Sequence, residues 1–507
     1  MLLSLLPLAL PLALAGTAPG LGSVRPPCGT PAAAATFGPP PFLPMPPPDG
    51  DEEKEERDAY GDFANELESD NFLIKWGRSG SVDEDAAERL LAAFENAWAV
   101  EVEQMGHPAP AGTEAYLFNV YIGDTGDDSP DGYGASGYYN RDPDGFPMIV
   151  VSVETLADED WATGTATHEF YHAIQDSTGR YEYSGESAWY WEATAMWIEG
   201  EVLPDHDDYV AFLFGYGLLP HLPVYFFDYP DTGALQEYHQ YGAMIFPRYV
   251  SEIAADWEVV RDTWIADIDA ETPQDALEVL LAERGIDFAD AFGDFASRNA
   301  TWDYADGELY TQWMEWYADY YSADDHSVVA EVERTGTGGV VSAPEATLPG
   351  RYAYNVVTLP RPSDDDLLVR FEGGAGGDKG SPAEWRVTVV RERDEGGPEY
   401  VRLSLVDGAG EVLLEGVGDE QIHLVAASVA REARTDEVFA WSYAMTPTAR
   451  GEPDPEPIDT DGDTDALDPE PVGMELRACG CTSGAAGGNA AGLLVLAGLA
   501  TLGRRRR

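Results

Sequence analysis

Thr167-His168-Glu169-Phe170-Tyr171-His172 places two imidazoles and a carboxylate within five residues of a stretch whose flanks read as helix. At about 3.6 residues per turn, His168 and His172 stand on one face, so each can give a nitrogen to one metal ion at roughly 2.0–2.1 Å. Glu169 points off that axis. It is placed to polarise a metal-bound water as general base rather than to bind the ion. With 8 histidines in 507 residues, the chance of this pattern arising by accident is on the order of one in a hundred.

Two histidines do not hold zinc tightly, so a third ligand is needed, with a fourth position left for water. The candidate is Glu192 in Trp189-Tyr190-Trp191-Glu192-Ala193-Thr194-Ala195-Met196-Trp197-Ile198-Glu199, a run with large apolar residues at helical intervals. Between the two helices, Gly179 supplies a stop signal, and Ser184 with Gly185 supplies a start signal. The second helix can then fold back on the first.

His-Glu-x-x-His followed about twenty residues later by a glutamate on a second helix resembles the gluzincin metallopeptidases. The wording around the motif is similar to a family of secreted metalloproteases predicted in myxobacterial-type genomes. That resemblance implies His168, His172 and Glu192 as zinc ligands and Glu169 as the catalytic carboxylate. It also implies an α+β fold, with a sheet ahead of the zinc helix and a mainly helical second half. The metzincin pattern would want glycine at Gln175 and histidine at Thr178, and neither is there. One departure stands out: where thermolysin-like relatives carry an aspartate that orients a zinc histidine, this chain has Met196. Glu199, two turns along the face of Glu192, is the candidate for that role, a solvated carboxylate being the other reading. His239 and Tyr241 are the candidate transition-state donors, because such donors commonly follow the third ligand.

The ends suggest where this chemistry takes place. Residues 1–15 are almost wholly apolar and close on Ala13-Leu14-Ala15, the small-residue pattern of signal-peptide cleavage, although no basic residue precedes Arg25. At the other end, residues 477–507 contain Cys479-Gly480-Cys481, an uncharged run and four terminal arginines. This tail resembles the MYXO-CTERM sorting signal. The resemblance implies a single membrane segment, recognition by a myxosortase-type processing enzyme, Cys479 or Cys481 at the processing or attachment point, and display at the cell surface or outer membrane, or secretion. Residues 448–476 alternate proline and acid and read as an extended stalk. Within it Asp459, Asp461, Asp463 and Asp465 offer closely spaced oxygen ligands for Ca2+, or simply solvated charge.

Between the ends, residues 16–57 are a Pro/Ala-rich acidic linker that contains Cys28. Residues 58–334 read as the metallopeptidase domain, with an amphipathic helix at 86–94 and strands at 115–122 and 148–153. The Gly/Tyr-rich stretch Gly132 to Tyr139 is a hairpin loop or a sheet edge. From residue 335 to 447, short strand-like runs predict an all-β sandwich. The globular parts hold no cysteine, so no disulfide framework supports them.

A formal charge of −64, from 93 acids against 29 bases, excludes nucleic acid as a partner, because a polyanion would be repelled. The reading that follows is a surface-displayed or secreted zinc endopeptidase acting on protein or peptide substrates. The alternative is a non-catalytic adhesin or scaffold with a structural or degenerate zinc site.

Overall fold

Two apolar runs, Phe118–Gly123 and Pro147–Ser152, are buried at every residue, as strands covered on both faces must be. They belong to a sheet made of β1 (Asn65–Glu68), β2 (Phe72–Trp76), β3 (Phe118–Gly123), β4 (Gly137–Arg141) and β5 (Pro147–Ser152), in the order β1-β2-β3-β5-β4. Strands β2, β3 and β5 run parallel, and the edge strands β1 and β4 are antiparallel to their neighbours. Parallel neighbours need a crossover. Between β2 and β3 it is α1 (Glu84–Ala97), N-capped by Asp83 and continued by a π-helical turn, Trp98–Gln104.

The computed structural model describes residues 27–31, 54–57, 59–79, 82–126, 129–228, 235–321 (backbone only for 318–321), 339–360, 366–393, 396–418 and 420–448. All of these fall within one unit, Met1–Glu452. The leader at 1–15, the sorting tail at 477–507, and Asp459, Asp461, Asp463, Asp465, Cys479 and Cys481 lie outside them. The expectation of a surface protein carrying a C-terminal membrane segment is corrected to this extent: among the described residues no helix is long and apolar enough to cross a membrane. Among the described helices only Glu159–Thr178 reaches the roughly 20 residues a bilayer requires, and it carries Glu159, Asp160, Glu169 and Asp176.

The zinc-motif helix is α2 (Glu159–Thr178). Asp158 caps its start by accepting from the amides of Asp160 and Trp161, and Gly179 ends it in the left-handed conformation at φ 60°, which glycine adopts without a Cβ penalty. Phe170, on the face opposite His168 and His172, meets Phe72, Trp98 and Phe118 edge-on or tilted at ring distances of 5.3–6.0 Å. This aromatic cluster fixes α2 on the sheet. Helix α3 (Ala188–Val202) follows and is buried almost all round, as a helix enclosed by other elements must be.

Beyond it come α4 (Leu213–Gly217), α5 (His239–Gly242), α6 (Ile245–Tyr249), α7 (Trp257–Ile265), α8 (Pro273–Glu283), α9 (Phe288–Asn299) and α10 (Gly307–Tyr321). Helices α4 and α5 cross on glycines. A Cβ on Gly215 would lie 2.3 Å from the Tyr238 carbonyl oxygen, and one on Gly242 would lie 2.6 Å from the Phe212 carbonyl oxygen.

The second half carries β6 (Val340–Ser342), β7 (Ala353–Leu359), β8 (Asp366–Gly377), β9 (Trp385–Glu392), β10 (Glu399–Arg402), β11 (Ala409–Leu414), β12 (Gln421–Ser428) and β13 (Phe439–Thr448). They form two antiparallel sheets, β10-β9-β12-β7 and β11-β8-β13-β6. Alternation along β7 divides its side chains between two cores. Val357 and Leu359 join the core between the two sheets, while Tyr354 and Val356 join the core of the helical half. The same division along β12 sends Ile422, Leu424 and Ala426 one way and Val425 and Ala427 the other. Helix α9 packs against β9 and β12, and Arg386 and Arg402 both reach Asp290 at its start at 2.6 Å. The architecture is therefore α+β: a mixed sheet with helices, joined to a sandwich-like pair of sheets that shares its core.

One buried acid costs this fold stability. Glu101, in the π-helical turn, is fully buried, and neither carboxyl oxygen has a hydrogen-bond partner among the described residues. Burial pushes its carboxyl well above the usual range. A carboxyl raised in the folded state contributes stability below its unfolded pKa and loses it as pH rises, because only the unfolded chain then ionises freely. Glu101→Gln should therefore raise the melting temperature at pH 7 and do little at pH 4. The gain should grow by up to about 1.4 kcal/mol per pH unit above the ordinary carboxylate range. Calorimetry at the two pH values checks it, and equal effects at both would show that the carboxyl ionises in place.

Candidate metal centre

The face of α2 turned toward α3 carries His168 and His172, both buried. Opposite them, α3 presents Glu192, also buried. His168 Nε2 lies 3.3 Å and His172 Nε2 3.6 Å from Glu192 Oε2. A fourth donor comes from the far N-terminal side of the chain: Cys28 Sγ lies 3.7 Å from His172 Nε2. All four donor atoms fall within 4.8 Å of one another. A tetrahedral ion bonded at about 2.0–2.1 Å to nitrogen or oxygen and about 2.3 Å to sulfur sets its ligand atoms about 3.3–3.6 Å apart. Of the three close separations, 3.3 and 3.6 Å fall in that range and the sulfur distance of 3.7 Å lies just beyond it. Thiolate and imidazole donors together suit zinc and disfavour calcium or magnesium, which want oxygen.

Neighbouring groups fix which nitrogen of each ring faces the cluster. His168 Nδ1 lies 2.8 Å from Glu199 Oε1 and donates to it, which leaves Nε2 to face Glu192. His172 Nδ1 lies 2.7 Å from Gln175 Oε1. The Gln175 amide can have only one orientation, because its Nε2 donates to the Trp191 carbonyl at 3.0 Å and to Thr194 Oγ1 at 2.9 Å, while Thr194 Oγ1 itself donates to the Tyr190 carbonyl. Gln175 Oε1 therefore accepts, His172 Nδ1 donates, and His172 Nε2 keeps its lone pair for the cluster. Tyr183 completes the arrangement by donating to Glu192 Oε1 at 2.6 Å.

The charge balance of the cluster favours a cation. Burial opposes protonation of His168, but hydrogen bonds to Glu192 and Glu199 outweigh it and hold the ring at about 9. Glu192 is likewise raised by burial and lowered more strongly by His172 and His168, to about 2. Burial, then Glu169 and Glu192, pushes the Cys28 thiol well above its ordinary value. Glu169 is fully buried. Its Oε2 accepts from Thr30 Oγ1 at 3.1 Å, and its Oε1 is buried with no hydrogen-bond partner among the described residues.

The two proposed donors beyond the ligands separate. Tyr241 adjoins the cluster: its hydroxyl donates to the Cys28 carbonyl at 3.1 Å, and its ring centroid is 6.5 Å from that of His168. His239 stands about 200° round the same short helix. It packs instead against Tyr216 and Phe226, and burial lowers its pKa to about 3. The structure does not bring it to the cluster.

Sequence reasoning missed Cys28, Thr30, Gln175 and Tyr183. The linker reading of residues 16–57 is corrected at 27–31, which are docked on the fold: Gly29 N donates to the Gly137 carbonyl at 2.7 Å, and Ser136 N donates to the Pro27 carbonyl at 3.3 Å.

Residues 45–433 match the model of a family of unknown function, DUF6055. The chain belongs to that family. The match includes His168, Glu169, His172 and Glu192 and begins beyond Cys28. No curated protein matches this DUF6055 chain. Among solved structures, a family GH115 4-O-methyl-alpha-glucuronidase with specificity for decorated arabinogalactans matches at 10% identity and a TM-score of 0.15, over 58% of this chain and 39% of that one. The DUF6055 chain thus spans well under half the length of that protein, and so low a score transfers neither fold nor activity. The expectation of a gluzincin metallopeptidase is corrected by the family match: the family shown is DUF6055, a family of unknown function. The physical reason is that His-Glu-x-x-His with a distant glutamate specifies a metal-binding face of two helices, not the bond that is cleaved.

Proposed function

We propose that this DUF6055 protein carries a zinc centre of water-activating type, with His168, His172 and Glu192 as ligands and Glu169 as proton acceptor. The observation that carries the reading is the buried group of donors within 4.8 Å of one another. A zinc ion bound there would act as Lewis acid and lower the pKa of a bound water. The chain does the rest. Glu199 and Gln175 hold the two imidazoles in the tautomer that leaves Nε2 free to bind. Tyr183 holds one oxygen of Glu192 and so turns the other toward the histidines. Glu169 follows His168 directly, and its carboxylate is the group that would take a proton and return it to a leaving group. The low-polarity walls, Trp191 and Tyr241, exclude bulk water and strengthen each of these charge interactions.

Metal analysis of the purified full chain tests the reading. About one equivalent of zinc per chain should survive dialysis against metal-free buffer, as expected for a buried four-donor set. Retention of less than about a tenth of an equivalent would remove the assignment. Glu169→Gln should keep the zinc, because the residue supports the water rather than the ion.

A further inference from the structure

Cys28 does more than sit near the histidines, and the pattern of its neighbours points to a plug. A purely structural fourth ligand needs only its sulfur at the ion. Here the segment 27–31 covers three things at once. Cys28 Sγ fills the corner of the donor tetrahedron that His168, His172 and Glu192 leave open. Two residues on, Thr30 Oγ1 donates to Glu169 Oε2 and accepts from the amide of Tyr139 at 3.0 Å, so it occupies the proton acceptor. Pro27 and Gly29 take the backbone of Ser136 and Gly137, at the start of the edge strand β4, where an incoming chain would find unpaired groups. Tyr241 secures the Cys28 carbonyl from the other side.

We infer that residues 27–31 are a built-in plug, that Cys28 is the fourth ligand of the zinc centre, and that withdrawing the segment opens both the metal position and Glu169. The inference rests on the zinc reading above. Everything the centre requires lies within the family-matched residues 45–433, whereas the plug lies outside them. It is held by a handful of hydrogen bonds and one sulfur. It also depends on close approach: a Cβ on Gly29 would lie 2.8 Å from Ala135 Cβ and 3.2 Å from the Gly137 carbonyl oxygen. A larger residue at 29 therefore expels the segment, Cys28 with it, while leaving His168, His172 and Glu192 in place.

The test uses the full chain with Co2+ in place of zinc, as wild type, Cys28→Ser and Gly29→Val. Wild type should show a thiolate-to-cobalt charge-transfer band that both variants lose. Acetohydroxamate, a small ligand for an open metal position, should bind both variants at least about tenfold more tightly than wild type. Cobalt binding without a charge-transfer band in wild type would overturn the plug and leave the metal centre standing. A band in wild type with equal acetohydroxamate affinity in Gly29→Val would overturn displacement and make Cys28 a permanent ligand. Failure of wild type to bind cobalt or zinc at all would instead remove the zinc reading. Gly29→Val keeps the result interpretable if Cys28→Ser folds poorly, since it alters no donor.

Discussion

His172→Ala should reduce bound zinc from about one equivalent to less than about a tenth and make the thermal midpoint insensitive to added zinc or chelator. His172 is the hub of the donor set, since both Glu192 and Cys28 are placed by their distance to its Nε2. In wild type, zinc at a hundredfold to a thousandfold excess over its dissociation constant adds about 2.7–4.1 kcal/mol to the folded state. Removing metal should cost that amount in wild type and nothing in the variant. Calorimetry with and without chelator, beside metal analysis, reads both quantities. The control is His239→Ala. It empties a buried position away from the cluster and should lower stability with the zinc stoichiometry intact. Equal zinc loss in the two variants would mean that misfolding, not lost ligation, is being measured.

The second large effect lies where α4 and α5 cross. Gly215→Ala and Gly242→Ala should each destabilise the fold by about 3 kcal/mol or more, because the new Cβ meets backbone atoms at 2.3–2.6 Å that no rotamer change can move. The whole helix has to shift. Since α5 carries Tyr241, the shift should also disturb the hydrogen bond to the Cys28 carbonyl. The two glycines relieve one crossing, so the double variant should cost clearly less than the sum of the singles. Urea unfolding midpoints measure all three. A change under about 0.5 kcal/mol in either single variant would show that the crossing has slack.

Much of the fold could be read from pattern alone, for identifiable reasons. The expected helix at 86–94 lies inside α1, and the expected strands at 115–122 and 148–153 coincide with most of β3 and β5, since period and apolar density are local properties. The short strands β1 and β2 went unread because Phe72–Trp76, five residues broken by Lys75, carries no alternation to detect. Lys75 is buried there by donating to the Arg57 carbonyl at 2.6 Å, a tertiary solution that composition does not announce. At the site, the His168, His172 and Glu192 cluster was readable because helix periodicity converts spacing into a face. Cys28 was not. It lies 144 positions from His172, among prolines and alanines that resemble any linker, and only docking on β4 gives it meaning. Gln175 and Tyr183 act through a neighbour's hydrogen bond, which leaves no trace in spacing. The gluzincin expectation failed for the opposite reason: a local motif was read as a family, whereas family membership is a property of the whole chain.

The sheet β10-β9-β12-β7 has one face in each core, so the two halves of the protein have no surface at which they could be parted cleanly. A gene fragment starting near residue 335 would expose Tyr354, Val356 and Val425 as a greasy wall, and the remaining half would lose the lid over α9. In evolutionary terms the pair is a single heritable module. The sandwich cannot be shuffled onto another partner unless that partner already offers a matching face. The family match, with its ends at residues 45 and 433 on either side of the seam, is what such an indivisible unit leaves behind.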